Sequence, residues 1–84
     1  MKLVVVSPQG KHAYIVQWIE AHTPGGSLFI RPGHAPIILT LVAGSDFSFL
    51  LPTNEKRVVH LIRPGFLQVD REGAIALISQ DVGL

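Results

Sequence analysis

Short apolar runs separated by glycine and proline make up most of the chain. Leu3–Val6 is a β-branched run that ends before Pro8, and Ala13–Ala21 carries β-branched and aromatic residues that favour a strand. Asp46–Leu51 alternates apolar and polar residues, and this period of two is typical of a half-buried strand. These patterns predict strands, and no segment shows a convincing amphipathic helix.

Five further segments complete the set of candidate strands: Leu28–Ile30, Ile37–Val42, Arg57–Ile62, Phe66–Asp70 and Ala74–Ser79. Their close spacing predicts an all-β fold, a flattened β-sandwich or barrel of about eight to ten short strands. Between the last two segments we expect a tight hairpin in which Gly73 supplies a left-handed backbone position. The predicted core includes Val4, Val6, Ile15, Ile30, Ile38, Phe49, Val59, Leu61, Leu67, Val69 and Leu77.

Length and composition predict one small domain with an unusually apolar surface. At 84 residues, we expect a single domain over residues 1–84. Hydrophobic residues make up 48% of the chain and charged residues only 15%, against ~25% charged residues in an average globular chain. Because so little charge is available to cover the surface, we expect one face to be covered by a partner.

Charge and hydropathy exclude several classes of partner. The net charge is +1 with no block of like charges, whereas nucleic-acid binding needs a basic patch, so no nucleic-acid partner is predicted. The chain has no cysteine and therefore no disulfide or thiolate zinc site. The longest apolar stretch, Ile37–Ala43, falls far short of the ~20 residues that span a bilayer, so direct membrane insertion is not expected.

The sequence also lacks the patterns that carry catalysis. The four histidines are His12, His22, His34 and His60. No two of them have the spacing of a local metal site, and no serine lies in a nucleophile-elbow motif. The chain has no phosphate-binding loop and no paired carboxylates. We therefore predict no catalytic, cofactor-binding or metal-binding residue, and residue chemistry favours a binding or structural module over an enzyme.

One segment resembles a known protein family. Gly26–Pro36 (GSLFIRPGHAP) resembles the hallmark segment of the epsilon subunits of F-type ATP synthases. Leu3–Pro8 resembles the opening strand and turn of that family, and Phe66–Val69 resembles one of its later strands. The order and spacing of these segments agree over nearly the whole chain.

The resemblance implies a role in a rotary motor. Members of the family form a β-sandwich that links the gamma subunit to the c-ring and couples ion-driven rotation to ATP synthesis without doing chemistry. The residues matching the ring-facing segment are Ser27, Leu28, Arg31 and His34, and the gamma-facing set is Ser7, Ile38, Leu39 and Thr40. The resemblance further implies a protein that is monomeric when isolated. It also implies that in the cell the protein is peripheral to the cytoplasmic face of the inner membrane, held there through the complex.

The backbone preferences of the loop within the hallmark segment predict that it is stiff. Pro32 and Pro36 fix their own backbone φ and restrict the residues before them, while Gly33 permits a turn that other residues resist. We therefore expect the loop between Ile30 and Ile37 to be stiff and to project from one end of the sandwich. A stiff loop suits a load-bearing contact, because less ordering is needed when a partner binds.

Departures from the family pattern keep alternatives open. Ser27 stands where many relatives have an acidic residue that is thought to meet basic ring loops, Phe29 replaces a common glycine, and Pro64 replaces the first of two glycines. The chain ends at Leu84, about where the family's helical hairpin would begin. We expect a short form without this inhibitory hairpin, and the alternative is a sandwich trimmed from a longer regulatory subunit. A free-standing sandwich that binds a small ligand is the rival function, and it would need a pocket with convergent polar groups.

Overall fold

The structure is a computed structural model that describes residues 1–82, and within this range it contains nine strands and no helix. The strands are β1 (Lys2–Ser7), β2 (Gly10–Ile15), β3 (Trp18–Thr23), β4 (Gly26–Ile30), β5 (Ile37–Leu41), β6 (Asp46–Leu50), β7 (Lys56–His60), β8 (Gly65–Val69) and β9 (Gly73–Leu77). The predicted all-β class is confirmed. Two sheets pack together, a five-stranded sheet in the order β2-β1-β9-β8-β5 and a four-stranded sheet in the order β4-β3-β6-β7.

The first and last of the nine strands in sequence, β1 and β9, lie side by side within the five-stranded sheet. β1 pairs in parallel with β9, whereas the other strand pairs of both sheets are antiparallel. The parallel ladder runs from Lys2 opposite Gly73 to Val6 opposite Leu77. Chain segments that are far apart in sequence are therefore neighbours in the middle of this sheet.

The expectation of a single strand over Ala13–Ala21 is wrong. The segment forms the end of β2 and most of β3, and it passes from one sheet to the other at Val16 and Gln17. The amide of Val16 donates to the carbonyl of Met1 at 2.8 Å, and the next amide, of Gln17, donates to the carbonyl of Leu50 at 2.7 Å. Because these two amides bind to different sheets, the crossing keeps its backbone hydrogen bonds and needs no glycine or proline.

The core between the sheets contains six of the predicted residues: Ile30, Phe49, Val59, Leu61, Leu67 and Val69. Five others were predicted wrongly: Val4, Val6, Ile15, Ile38 and Leu77. In β1 the inward side chains are those of Leu3 and Val5, so their neighbours Val4 and Val6 are half-buried on the outer face of the sheet. The other three are exposed on that same sheet, Ile15 at 60%, Ile38 at 73% and Leu77 at 49%.

Gly73 has a different structural role from the predicted one. Its backbone is not left-handed. A Cβ atom at this position would collide with the carbonyl oxygen of Lys2, because β1 runs directly alongside. The hairpin before Gly73 is held instead by Asp70, whose Oδ1 accepts from the amides of Glu72 and Gly73 at 2.8 Å each.

Candidate protein-binding surfaces

The first candidate surface is β4 and the loop that follows it. β4 is an edge strand of the four-stranded sheet, and its side chains alternate between the two faces. Ser27 and Phe29 are exposed on the outer face, whereas Leu28 is half-buried against the core and Ile30 is fully buried. Of the predicted ring-facing residues, Ser27 and Arg31 thus share the exposed side of the chain, and Leu28 is directed mainly inward.

A tight turn fixes the backbone after β4. The amide of His34 donates to the carbonyl of Arg31 at 3.2 Å, with Pro32 and Gly33 between them. Gly33 has a φ of 82°, and proline followed by a residue with positive φ is the signature of a type II turn. The prediction that Gly33 adopts a conformation other residues resist is confirmed. The same turn brings the predicted residues Arg31 and His34 to one end of the sandwich.

Two cations and two aromatic rings form a row across the outer face of the four-stranded sheet. The Cζ atom of Arg31 lies 5.0 Å from the ring centroid of Phe29, and that ring lies 4.7 Å from the ring of Trp18 on β3. On the far side, the Nζ atom of Lys56 lies 5.9 Å from the ring centroid of Trp18. We call Arg31, Phe29, Trp18 and Lys56 the aromatic row. Sequence reasoning missed it, although residues two apart on an exposed strand share a face.

Ser27 and His22 occupy the other end of this edge. The Oγ atom of Ser27 lies 2.9 Å from Nδ1 of His22, and the two residues are opposite each other on β4 and β3. The hydroxyl group can offer a partner only neutral hydrogen bonds. Whatever charge this surface presents must therefore come from other residues, and Arg31 is the one fixed cation on β4 and its turn.

The second candidate surface is the outer face of the five-stranded sheet. Val4 lies opposite Ile75, and Leu77 lies between Val6 and Phe66. Gln68 is a polar residue on the same face, between Ile75 and Ile38. Residues opposite each other on neighbouring strands share a face, so their side chains form one patch. With Ile38 on the edge strand β5, we call this set the apolar face: Val4, Val6, Ile38, Phe66, Ile75 and Leu77.

Three of the four predicted gamma-facing residues lie in the apolar face or beside it. Ile38 and Thr40 are exposed on β5, and Thr40 lies opposite Phe66. Ser7 lines a shallow groove with the side chains of Val6, Phe66 and Leu77 at the other margin. Leu39 differs, because its side chain points into the core and is only 9% exposed. Ser7, Ile38 and Thr40 therefore lie around one surface, and Leu39 supports that surface from beneath.

Residues 1–82 show no grouping of three or more histidine or acidic side chains that could hold a metal ion. Within the same range, no helix is long and apolar enough to cross a membrane. His60 forms a hydrogen bond with Asp46, at 2.8 Å between Nδ1 and Oδ1, and both side chains are largely exposed.

Comparison with solved structures defines the class of fold. The chain is similar to a chain in the central stalk and c-ring structure of the Tetrahymena thermophila mitochondrial ATP synthase. The TM-score is 0.73 at 14% identity, and the match covers 95% of this chain and 63% of that one. It is also similar to a chain of the Euglena gracilis mitochondrial ATP synthase, with a TM-score of 0.78 at 17% identity, covering 93% and 49%. The fold is thus a β-sandwich of a type that occurs in rotary ATP synthases.

A curated relative identifies the family. The ATP synthase epsilon chain of Bdellovibrio bacteriovorus is 37% identical over 81 residues, and the match covers 94% of this chain and 57% of that protein. The chain therefore belongs to the ATP synthase epsilon chain family, as the resemblance of Gly26–Pro36 indicated. It spans little more than half the length of this relative. No family model matches the sequence.

Proposed function

We propose that this chain is a non-catalytic subunit in the central stalk of a rotary F-type ATP synthase, where it links the gamma subunit to the c-ring. In this role it helps to couple ion-driven rotation to ATP synthesis. It is held at the cytoplasmic face of the inner membrane through the complex and not by insertion into the bilayer. The observation that carries the proposal, beyond the family, is the apolar face of the five-stranded sheet.

The apolar face suits the gamma contact. Phe66, Ile75 and Leu77 are large apolar side chains that remain exposed in the middle of a sheet. An uncovered apolar area of this kind on a soluble domain marks a surface for a protein partner. Ile38 and Thr40 at one margin and Ser7 at the other extend the proposed contact along the edges of the face.

The edge strand β4 and its turn suit the ring contact. Ser27, Arg31 and His34 lie there, with Leu28 filling the space behind them. The six residues between Ile30 and Ile37 connect this edge directly to β5, which carries part of the apolar face. A short connection that contains two prolines and a type II turn would pass load from one partner to the other with little bending.

Two isoleucines that are almost equally exposed allow a matched test. Ile38 is 73% exposed within the proposed gamma contact, and Ile62 is 74% exposed outside it. Burying an isoleucine stabilises an interface by roughly 1.5–3 kcal/mol, so Ile38→Asp should weaken binding to the gamma subunit by about tenfold or more. Ile62→Asp should leave binding within about twofold of the wild type.

The assay is titration of the purified chain with the gamma subunit, with circular dichroism confirming that both variants fold. Equal affinities for the two variants would place the gamma contact somewhere other than the apolar face. If the wild-type chain does not bind the gamma subunit at all, the proposed function is wrong.

A further inference from the structure

Carboxylates are missing from the middle of the chain. The segment from Ala21 to Ser45 contains no aspartate or glutamate, although it includes the whole of β4 and the turn after it. Its one permanent charge is Arg31, accompanied by the imidazoles of His22 and His34. The surface proposed to meet the ring is therefore built without any negative charge of its own.

Carboxylates from neighbouring elements do not neutralise Arg31. Glu20 lies opposite Phe29 but is half-buried, and its Oε1 accepts from the hydroxyl group of Ser48 at 3.4 Å. The β8–β9 hairpin brings Asp70 and Glu72, together with Arg71, close to Pro36. Asp70 is already engaged with backbone amides of its own hairpin. Within residues 1–82, no carboxylate lies in ion-pair distance of Arg31.

The guanidinium group of Arg31 is nevertheless held in place. Its Cζ atom lies 5.0 Å from the ring centroid of Phe29, within the range of a cation–π contact, and that ring packs against Trp18. A cation–π contact uses the charge of the guanidinium group and does not consume its five N–H donors, which remain available to an acceptor on a partner. The type II turn fixes the backbone on the carboxyl side of the same residue. An oriented guanidinium fork with free donors is matched in geometry to a carboxylate.

We propose that Arg31 is the binding residue for a carboxylate on a protein loop, and that Phe29 is its positioning residue. This inference rests on the proposed function, which makes that loop part of the c-ring, and it specifies the charge of the partner: the ring loop that meets β4 carries aspartate or glutamate at the contact. An anionic lipid headgroup fits less well, because lipid recognition generally uses clusters of 4–8 basic residues, whereas the aromatic row holds two cations, Arg31 and Lys56.

The test uses the complex of the full chain with the gamma subunit, titrated against the detergent-solubilised c-ring of the same organism. Arg31→Glu should lower the ring affinity of the complex by roughly tenfold or more, since a charged hydrogen bond is lost and repulsion takes its place. Arg31→Lys should lose less, because it keeps the charge but not the fork. Arg63→Glu is the matched control, an exposed arginine on another loop, and should change the affinity less than twofold.

Two further measurements separate this pairing from a general charge effect. Phe29→Leu should reduce the affinity about threefold, an intermediate loss, with the melting temperature checked separately. In the Phe29→Leu background, Arg31→Lys should lower the ring affinity by a smaller factor than it does in the wild-type background, because Phe29 no longer orients the guanidinium group. Ring affinity of the wild-type complex should fall as salt is raised, and Arg31→Glu should remove part of that dependence.

The outcomes distinguish the inference from the function on which it rests. If Arg31→Glu binds the ring as well as or better than the wild type, the partner loop is not acidic and the inference fails while the proposed function stands. If wild-type chain binds phosphatidylglycerol vesicles without the ring, and Arg31→Glu abolishes this, the ligand is a lipid headgroup and the inference also fails. If the gamma subunit alone binds the ring as tightly as its complex with the chain, the proposed function is wrong and the inference falls with it.

Discussion

Gly73→Ala tests the parallel pairing of β1 with β9, on which the five-stranded sheet and its apolar face depend. A Cβ atom at position 73 would collide with the carbonyl oxygen of Lys2 and would lie 3.3 Å from the carbonyl carbon of the same residue. These are backbone atoms and cannot rotate away as a flexible side chain would. The two strands must therefore separate locally, at the point where Lys2 lies opposite Gly73.

The cost follows from two opposing effects. Forcing extra atoms into a packed site typically destabilises a protein by ~1–3 kcal/mol. Alanine also restricts the unfolded chain, which stabilises the folded state by ~0.4–1 kcal/mol where the backbone is compatible. We expect a net loss of about 1–2 kcal/mol, and this lowers the melting temperature of a domain this small by roughly 5–15 °C.

Thermal unfolding followed by circular dichroism measures this difference, and Gly25→Ala is the matched control. At Gly25 a Cβ atom would make ordinary contact, 3.7 Å from Oγ1 of Thr23, and the backbone is not left-handed. The control should therefore be neutral or slightly stabilising. If Gly73→Ala melts at the same temperature as Gly25→Ala, β1 and β9 are not in the close contact described here.

Three further substitutions test the core, the C-terminal segment and the turn by urea denaturation. Phe47→Ala empties a fully buried site and should cost ~3–5 kcal/mol, so a loss below 1 kcal/mol would contradict its place in the core. Gln80→Ala removes a side chain that accepts from the amide of Ile62 at 2.7 Å and donates to the carbonyl of His60 at 2.8 Å, and we expect a loss of ~1–2 kcal/mol. An unchanged midpoint would show that water replaces these bonds. Gly33→Ala meets no neighbouring atom but must adopt positive φ, so it should cost ~1–2 kcal/mol, and stabilisation would contradict the type II turn.

The inward-facing side of a strand was predictable from sequence wherever apolar and polar residues alternate along it. Phe47 and Phe49 alternate with polar residues, so the inward face of β6 is evident, and Leu67 and Val69 mark that of β8 in the same way. Leu3–Val6 has four apolar residues in a row, and such a run does not show whether Leu3 and Val5 or Val4 and Val6 point inward. The prediction that Val4 and Val6 point inward is wrong because both faces of β1 are apolar, one against the core and one toward the proposed gamma contact.

That second apolar face explains most of the errors in the predicted core. Ile38 and Leu77 are as hydrophobic as core residues, and sequence alone does not distinguish the inside of the sandwich from an uncovered patch outside it. The hallmark segment was easier, because Pro32 and Gly33 define a turn by their backbone preferences alone. The contact between the tilted rings of Phe29 and Trp18 depends on strand pairing between β3 and β4, which the sequence does not specify.

Site-directed cross-linking in the assembled enzyme tests the central claim most directly. The chain contains no cysteine, so Ser27→Cys and Thr40→Cys each introduce a unique thiol, one on β4 and one beside the apolar face. After treatment of membranes with a short thiol-to-amine or photoactivated cross-linker, we predict that Ser27→Cys joins the chain to the c subunit and Thr40→Cys joins it to the gamma subunit. If neither partner is recovered, or if both positions join to the same partner, the chain does not bridge the gamma subunit and the ring through these two surfaces.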